Sequence, residues 1–419
     1  MNKRLLIVFM LGFSSGLPLA LLSSTLQAWF SNAGMSLWAT GSLSLLGLPY
    51  ACRTLWGPLL DRYTLFSLGK RRSWMLVMQA FLLLGFNTMA WLSPTSSPSW
   101  MALLAFFLAS CSATQDVAID AHRTEYLPIE EHALGASLAV LGYRLALLMA
   151  GGIALIMASH VGFAMAYRIM GFLMMLGMLA TLWSTEPSMP IVNKISLGQA
   201  FIDPLKEILS RQGIFALFLF IFFYKLGEAF TTTSSGIVMP FLIQGLGFSL
   251  DVVGYVNKVM GVTSVVLGGV LAGILLLRWS LYKSLFLFGS LQALTQIFFI
   301  LLAMAGKNVS LLAVAVVCDN FAAGMSSTAL VALFMRIVDK RYTGTQFSML
   351  VAISTIPRIV SGPIAAFVQS WVGWVGLYQL SFLLAFTFIP FLIFIHQKKV
   401  VDGKDVFFEC VCSSSHWSK

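Results

Sequence analysis

Two aspartates, Asp116 and Asp120, stand four residues apart in an apolar stretch, with Gln115 and Arg123 beside them. On a helix that spacing puts both carboxylates on one face. An acid at the centre of a bilayer costs about 2.5–3.5 kcal/mol by insertion measurements, so it faces a protein interior or a water-filled path. Carboxylates kept there suit a proton relay or a contact with a charged solute. The same argument applies to Lys225 and Glu228, three apart and able to pair on one helix face, and to Asp319 in another apolar run. These four acids, Asp116, Asp120, Glu228 and Asp319, are the candidate proton-coupling groups. Arg144, Arg358, Lys225 and Lys258 are the candidate partners for an anion, because a guanidinium binds a carboxylate through two parallel hydrogen bonds. Asn257 and Gln115 add amides, and Ser23, Thr25, Gln27 and Trp29 give one early helix a polar run suited to a sugar or a peptide.

The elements that must hold these groups are transmembrane helices. Of 419 residues, 58% are hydrophobic and 10% charged, whereas a soluble domain carries about a quarter charged. Apolar runs long enough to cross a bilayer recur from end to end. The reading is an all-α membrane protein of twelve spans, near 5–30, 37–60, 73–93, 100–122, 133–158, 163–184, 213–243, 251–277, 283–305, 309–335, 345–370 and 373–396. It divides into a six-helix bundle over 1–184, a linker over 185–212, a second bundle over 213–397 and a tail over 398–419. Lys3 and Arg4 precede the first run, which continues through Trp29 without a clear cleavage site, so it is read as an uncleaved helix.

The net charge of +10 is not a nucleic-acid footprint, since the cations sit in short loops between spans. Lys70, Arg71, Arg72, Lys194, Arg211, Lys283, Arg336 and Lys340 fall with most of the others on one side, and the opposite loops hold Lys307. The positive-inside rule then predicts that both termini are cytoplasmic. Between spans two and three lie Gly57, Asp61, Arg62, Gly69, Lys70, Arg71 and Arg72. An aspartate and cations at facing helix ends can latch one state of a bundle, which makes Asp61, Arg62, Arg71 and Arg72 the candidate gate.

An internal repeat supports two related halves. Gly34-Met-Ser-Leu-Trp-Ala-Thr-Gly41 matches Gly247-Phe-Ser-Leu-Asp-Val-Val-Gly254, each ahead of the second span of its half. Arg144 and Arg358 likewise fall in the fifth span of each half. A parallel repeat of six helices is what two bundles around a central cavity would produce.

Other chemistry is absent from the pattern. No zinc spacing, phosphate loop, serine elbow or dinucleotide fingerprint occurs, the five histidines do not cluster, and Cys410 and Cys412 are too close for a redox pair. The expectation is a transporter and not an enzyme, without cofactor or metal, working as a monomer. A membrane-embedded sensor is the different-class alternative.

Several motifs together carry a resemblance: Gly12-Phe-Ser-Ser-Gly-Leu-Pro-Leu-Ala20, Thr25-Leu-Gln-Ala-Trp29, Ser112-Ala-Thr-Gln-Asp-Val117, Val140-Leu-Gly-Tyr-Arg144 and Tyr224-Lys-Leu-Gly-Glu228. Over about 5–397 the chain resembles the AmpG-type muropeptide permeases of Gram-negative bacteria. The loop with Gly57, Asp61 and Arg62 resembles the signature loop of the major facilitator superfamily. The resemblance implies proton-driven import of anhydromuropeptides across the inner membrane for peptidoglycan recycling, linked to β-lactamase induction. Another bulky anion, such as an acyl-CoA or a peptide, is the competing substrate. Some members carry two further C-terminal helices, whereas here a polar tail runs from Gln397 to Lys419.

Overall fold

The structure is a computed structural model that describes residues 3–52, 60, 63–128, 131–186, 197–232, 236–338 and 343–397. The described residues form helices and connections without strands. The N-terminal half comprises α1 (Lys3–Asn32), α2 (37–51), α3 (Lys70–Met89), α4 (Pro98–Tyr126), α5 (132–161) and α6 (Phe163–Trp183). A short amphipathic helix, α7 (Leu197–Leu209), precedes the C-terminal half. That half comprises α8 (Ile214–Ala229), α9 (238–245), α10 (Leu250–Leu276), α11 (Leu281–Ala305), α12 (Val309–Ile337), α13 (Thr343–Leu384) and α14 (Phe388–Gln397).

Eight helical stretches among the described residues are long and apolar enough to cross a membrane by themselves. The remaining expected spans take other forms. Span two is shorter in the described residues, because 53–59 lie outside them. Span three is the Lys70–Met89 helix, whose first turn is charged. Span seven is broken into α8 and α9, and 233–235 lie outside the described residues. Spans eleven and twelve run on as α13 and α14, interrupted at Gly373, whose φ of +69° only glycine adopts without strain. Arg53, Asp61 and Arg62 also lie outside the described residues.

Packing follows the two halves. Helix α1 packs on α4, α5 and α6, and α3 packs on α4 and α6; in the other half α12 packs on α10 and α11, and α8 packs on α13 and α14. Close approach is set by glycine. A β-carbon on Gly16 would lie 2.5 Å from the Tyr143 carbonyl oxygen, so α1 and α5 touch backbone to backbone. The sequence repeat has a structural counterpart: Gly34 and Gly247 both take positive φ, at +75° and +68°. Each is followed two residues later by the serine that begins the next helix, Ser36 and Ser249.

The halves meet along α2 with α13, α5 with α10, and the end of α1 with α9. The polar contacts across this seam gather toward one end, the one carrying the connections at 33–36, 162 and 246–249. Ser44 donates to the Ile359 carbonyl at 2.6 Å, and Gln244 donates to the carbonyls of Ser31 and Met35 at 2.8 and 3.0 Å. At the rim Ser159 donates to Asp251 at 2.5 Å, with His160 3.7 Å from the same carboxylate oxygen. Asp251 thereby joins the two halves. These connections form the cation-poor end of the molecule.

Candidate functional site

Between the halves lies a cavity of about 250 Å³. Its wall comes from the middle of α1 (Ser23, Ser24), from α2 (Ser44, Tyr50), from α5 (Arg144), from α10 (Asn257, Lys258), from α12 (Asn320) and from α13 (Arg358), with Thr232 just past α8. Three of the four expected cations therefore meet in one place, two from the C-terminal half and one from the N-terminal half. No carboxylate is among the lining residues. Neither Arg144 nor Arg358 pairs with an acid among the described residues. Lys258 is 8% exposed and reaches the cavity past Gly151 and Gly152, where α5 has a π-helical turn. A β-carbon on Gly151 would stand 3.2 Å from the lysine stem. The cavity thus gathers three cationic side chains in a low-dielectric wall, where charge acts most strongly on an anion.

The four acids stand elsewhere. Asp116 accepts from Ser15 of α1 at 2.5 Å. Asp120 is 54% exposed and pairs with Arg123 at 3.1 Å, so it belongs to the helix end and not to the Asp116 cluster. Glu228 accepts from Lys225 at 2.7 Å, and Lys225 also donates to Ser327 of α12 at 2.8 Å. Asp319 is 3% exposed and accepts from Gln292 and Thr295 of α11, at 2.8 and 3.1 Å. Acids and cavity cations are therefore separated, with Lys225 on the side of the acids.

The polar run of α1 divides at its π-helical turn, Leu21–Thr25. Ser23 lines the cavity. Thr25 donates to the Ala150 carbonyl of α5 at 2.6 Å, and Trp29 stacks on Phe163 and Tyr167 of α6 at 5.5 and 5.0 Å. Gln27 is fully buried and does not line the cavity. Gln115 is fully buried too, donating to the Ser14 carbonyl at 3.0 Å. Thr25, Gln27, Trp29 and Gln115 are thus buried, and none of them lines this cavity. Of the residues lining the cavity, Tyr50 and Ser44 were not singled out from sequence.

At the cation-rich end Arg71 forms a two-pronged pair with Glu125 of α4, closest at 2.8 Å. Glu186, beyond α6, accepts from the backbone amides of Arg71 and Arg72 and so caps α3 with a negative charge. The Arg72 side chain donates to the carbonyls of Thr181 and Leu182. Glu125, Thr181 and Leu182 belong to the N-terminal half, and Glu186 to the start of the linker.

A helical bundle in two halves around a polar central cavity is the architecture of a secondary transporter. The Major Facilitator Superfamily profile matches residues 4–362, and the chain belongs to that superfamily. Within it, the chain is 40% identical over 381 residues to the anhydromuropeptide permease of Escherichia coli (strain K12), covering 91% of this chain and 77% of that protein. An uncharacterized protein of Haemophilus influenzae is 33% identical, covering 93% of each chain. A putative transporter AmpG 4 of Rickettsia felis is 27% identical, covering 95% and 97%. Among solved structures the nucleoside transporter NupG superposes with a TM-score of 0.72 at 14% identity, over 93% of this chain and 99% of its own. A POT family transporter in complex with a thioalcohol-conjugated peptide gives 0.70 at 14%, over 94% and 96%. At that identity these two speak for the fold alone.

Proposed function

We propose that this protein imports anhydromuropeptides, GlcNAc-anhydroMurNAc peptides, from the periplasm to the cytoplasm in symport with protons. The carrying observation is the pair of arginines without acidic partners, one from each half, facing one cavity with Lys258. Muramyl peptides carry carboxylates, which two guanidiniums and an ammonium would hold, while Asn257, Asn320, Ser23 and Ser44 offer polar contacts to sugar and peptide. The similarity to the anhydromuropeptide permease of Escherichia coli supports the substrate class. Transport of that solute would serve peptidoglycan recycling and, where the circuit exists, β-lactamase induction.

The excess of Lys and Arg at one end orients that end to the cytoplasm of the inner membrane. On that orientation the seam from Ser44 to Asp251 is periplasmic. Asp61, Arg62, Arg71 and Arg72 would then form the cytoplasmic gate. Proton loading is assigned to Asp116, Glu228 and Asp319, with Asp120 at the cytoplasmic exit. Each of the first three is tied to neighbouring polar groups behind the cavity wall, so protonation would alter helix contacts and not the bound anion directly.

The test is uptake of labelled anhydromuropeptide into proteoliposomes. Dissipating an imposed proton gradient stops accumulation, and Asp116→Asn and Glu228→Gln each cut accumulation by about tenfold or more, one tenfold step corresponding to about 1.4 kcal/mol. Undiminished accumulation in both variants would remove those acids from coupling.

A further inference from the structure

Most polar side chains on the cavity wall are already satisfied by the protein. Ser23 donates to the Leu19 carbonyl at 2.6 Å, Ser44 to that of Ile359 at 2.6 Å, and the Asn320 amide to that of Val316 at 2.8 Å. Two are not. Asn257 of α10 is 5% exposed, and its Oδ1 is buried without a hydrogen-bond partner. Tyr50 of α2 has its hydroxyl buried beside that of Ser112, with no hydrogen bond of good geometry between them. Both residues line the cavity, one from each half. Buried polar atoms are paired in nearly all native structures, so an orphan on a cavity wall indicates a group that arrives with a ligand.

The two orphans differ in what they need. A carboxamide oxygen only accepts, and a phenol hydroxyl can donate. One group that supplies both complements side by side is a secondary amide, with its N–H and its C=O. We propose that Asn257 and Tyr50 together read an amide of the substrate, Asn257 Oδ1 accepting from the N–H and Tyr50 Oη donating to the carbonyl. The three cations hold the anionic part, and this pair sets which anions are accepted. The assignment rests on the cavity being the substrate site argued above. The amide could belong to an acetamido group on a sugar or to the stem peptide, and these share the same donor and acceptor. Because the pair spans both halves, the amide is gripped fully only when α2 and α10 are correctly juxtaposed.

Ester-for-amide probes test this. Uptake is measured for the labelled anhydromuropeptide, for an analogue whose sugar acetamides are replaced by O-acetyl esters, and for one whose first stem-peptide amide is replaced by an ester. Each ester loses the N–H and keeps the size and the carbonyl. The wild type prefers the amide over one of the two esters by about tenfold or more, because a site built to bond a donor rejects the analogue lacking it. Asn257→Leu brings that ratio close to one, and Asn257→Val serves if the leucine variant is not inserted. Tyr50→Phe weakens uptake of amide and ester alike by about tenfold, with little change in maximal rate. A ratio of rates within one variant is independent of how much carrier reaches the membrane, so misfolding does not mimic the result. Unchanged ratios for both esters in the Asn257 variants overturn the assignment while leaving the substrate reading standing. A wild type that takes up none of the probes overturns both.

Discussion

Replacing either Arg144 or Arg358 by glutamine lowers uptake of anhydromuropeptide at sub-saturating concentration by about ten- to a hundredfold, as the loss of a charged hydrogen bond of roughly 1.5–3 kcal/mol requires. Each residue lines the cavity, and neither is paired with an acid among the described residues. Their substitution therefore strands no buried carboxylate, and the loss falls on the solute. Glutamine keeps hydrogen-bonding capacity and much of the length while removing the charge. A lysine at either site keeps charge without the planar fork, so Arg144→Lys and Arg358→Lys fall between wild type and the glutamine variants. The loss appears mainly as a raised KM, since the anion is held in the ground state. Normal KM in both glutamine variants would show that the arginines serve packing and not recognition.

Linking the halves at their sealed end arrests transport. Ser159 and Asp251 touch across the seam at 2.5 Å, the serine exposed and the aspartate side chain about half-exposed at the rim. Cysteines at these two positions, joined by a short bifunctional thiol reagent, fix α5 to α10 where the other seam contacts already close the cavity from that side. Alternating access requires this end to open once per cycle. Cross-linked carrier should then lose essentially all uptake, and reduction of the linker should restore it. Uptake that persists at full rate in quantitatively linked protein would mean that the solute does not pass between these helices. Contact between Ser159 and Asp251 is itself weak, as an exposed polar contact in water is worth little. Its value here is as a place to hold the seam.

The fold was legible because a bilayer imposes a simple rule: apolar length marks a helix and loop cations mark a side. The repeat was legible at Gly34 and Gly247 because positive φ demands glycine in both halves. Arg144, Arg358, Asn257 and Lys258 could be picked out because a charge or amide in a span has to face something polar. Direction around a helix was less accessible. The π-helical turn at Leu21–Thr25 adds a residue to the turn, so Ser23 faces the cavity while Thr25 and Trp29 face α5 and α6. Tyr50 was passed over because a tyrosine in an apolar run has the same signature as core packing. The acids were found, yet their separation from the cations is tertiary: Gln292 and Thr295 of α11 hold Asp319, and nothing near Asp319 in sequence announces them.

The cavity's role as the passage for an anion is tested most directly by substrate protection of a thiol. In carrier whose five native cysteines are serine and whose uptake is intact, Ser23→Cys places one thiol on the cavity wall. A charged, membrane-impermeant thiol reagent applied from the cytoplasmic side should label it, and saturating anhydromuropeptide should slow that labelling severalfold while free glucose does not. A thiol that stays unreactive from both sides, or reacts equally fast with the muropeptide present, would contradict the account.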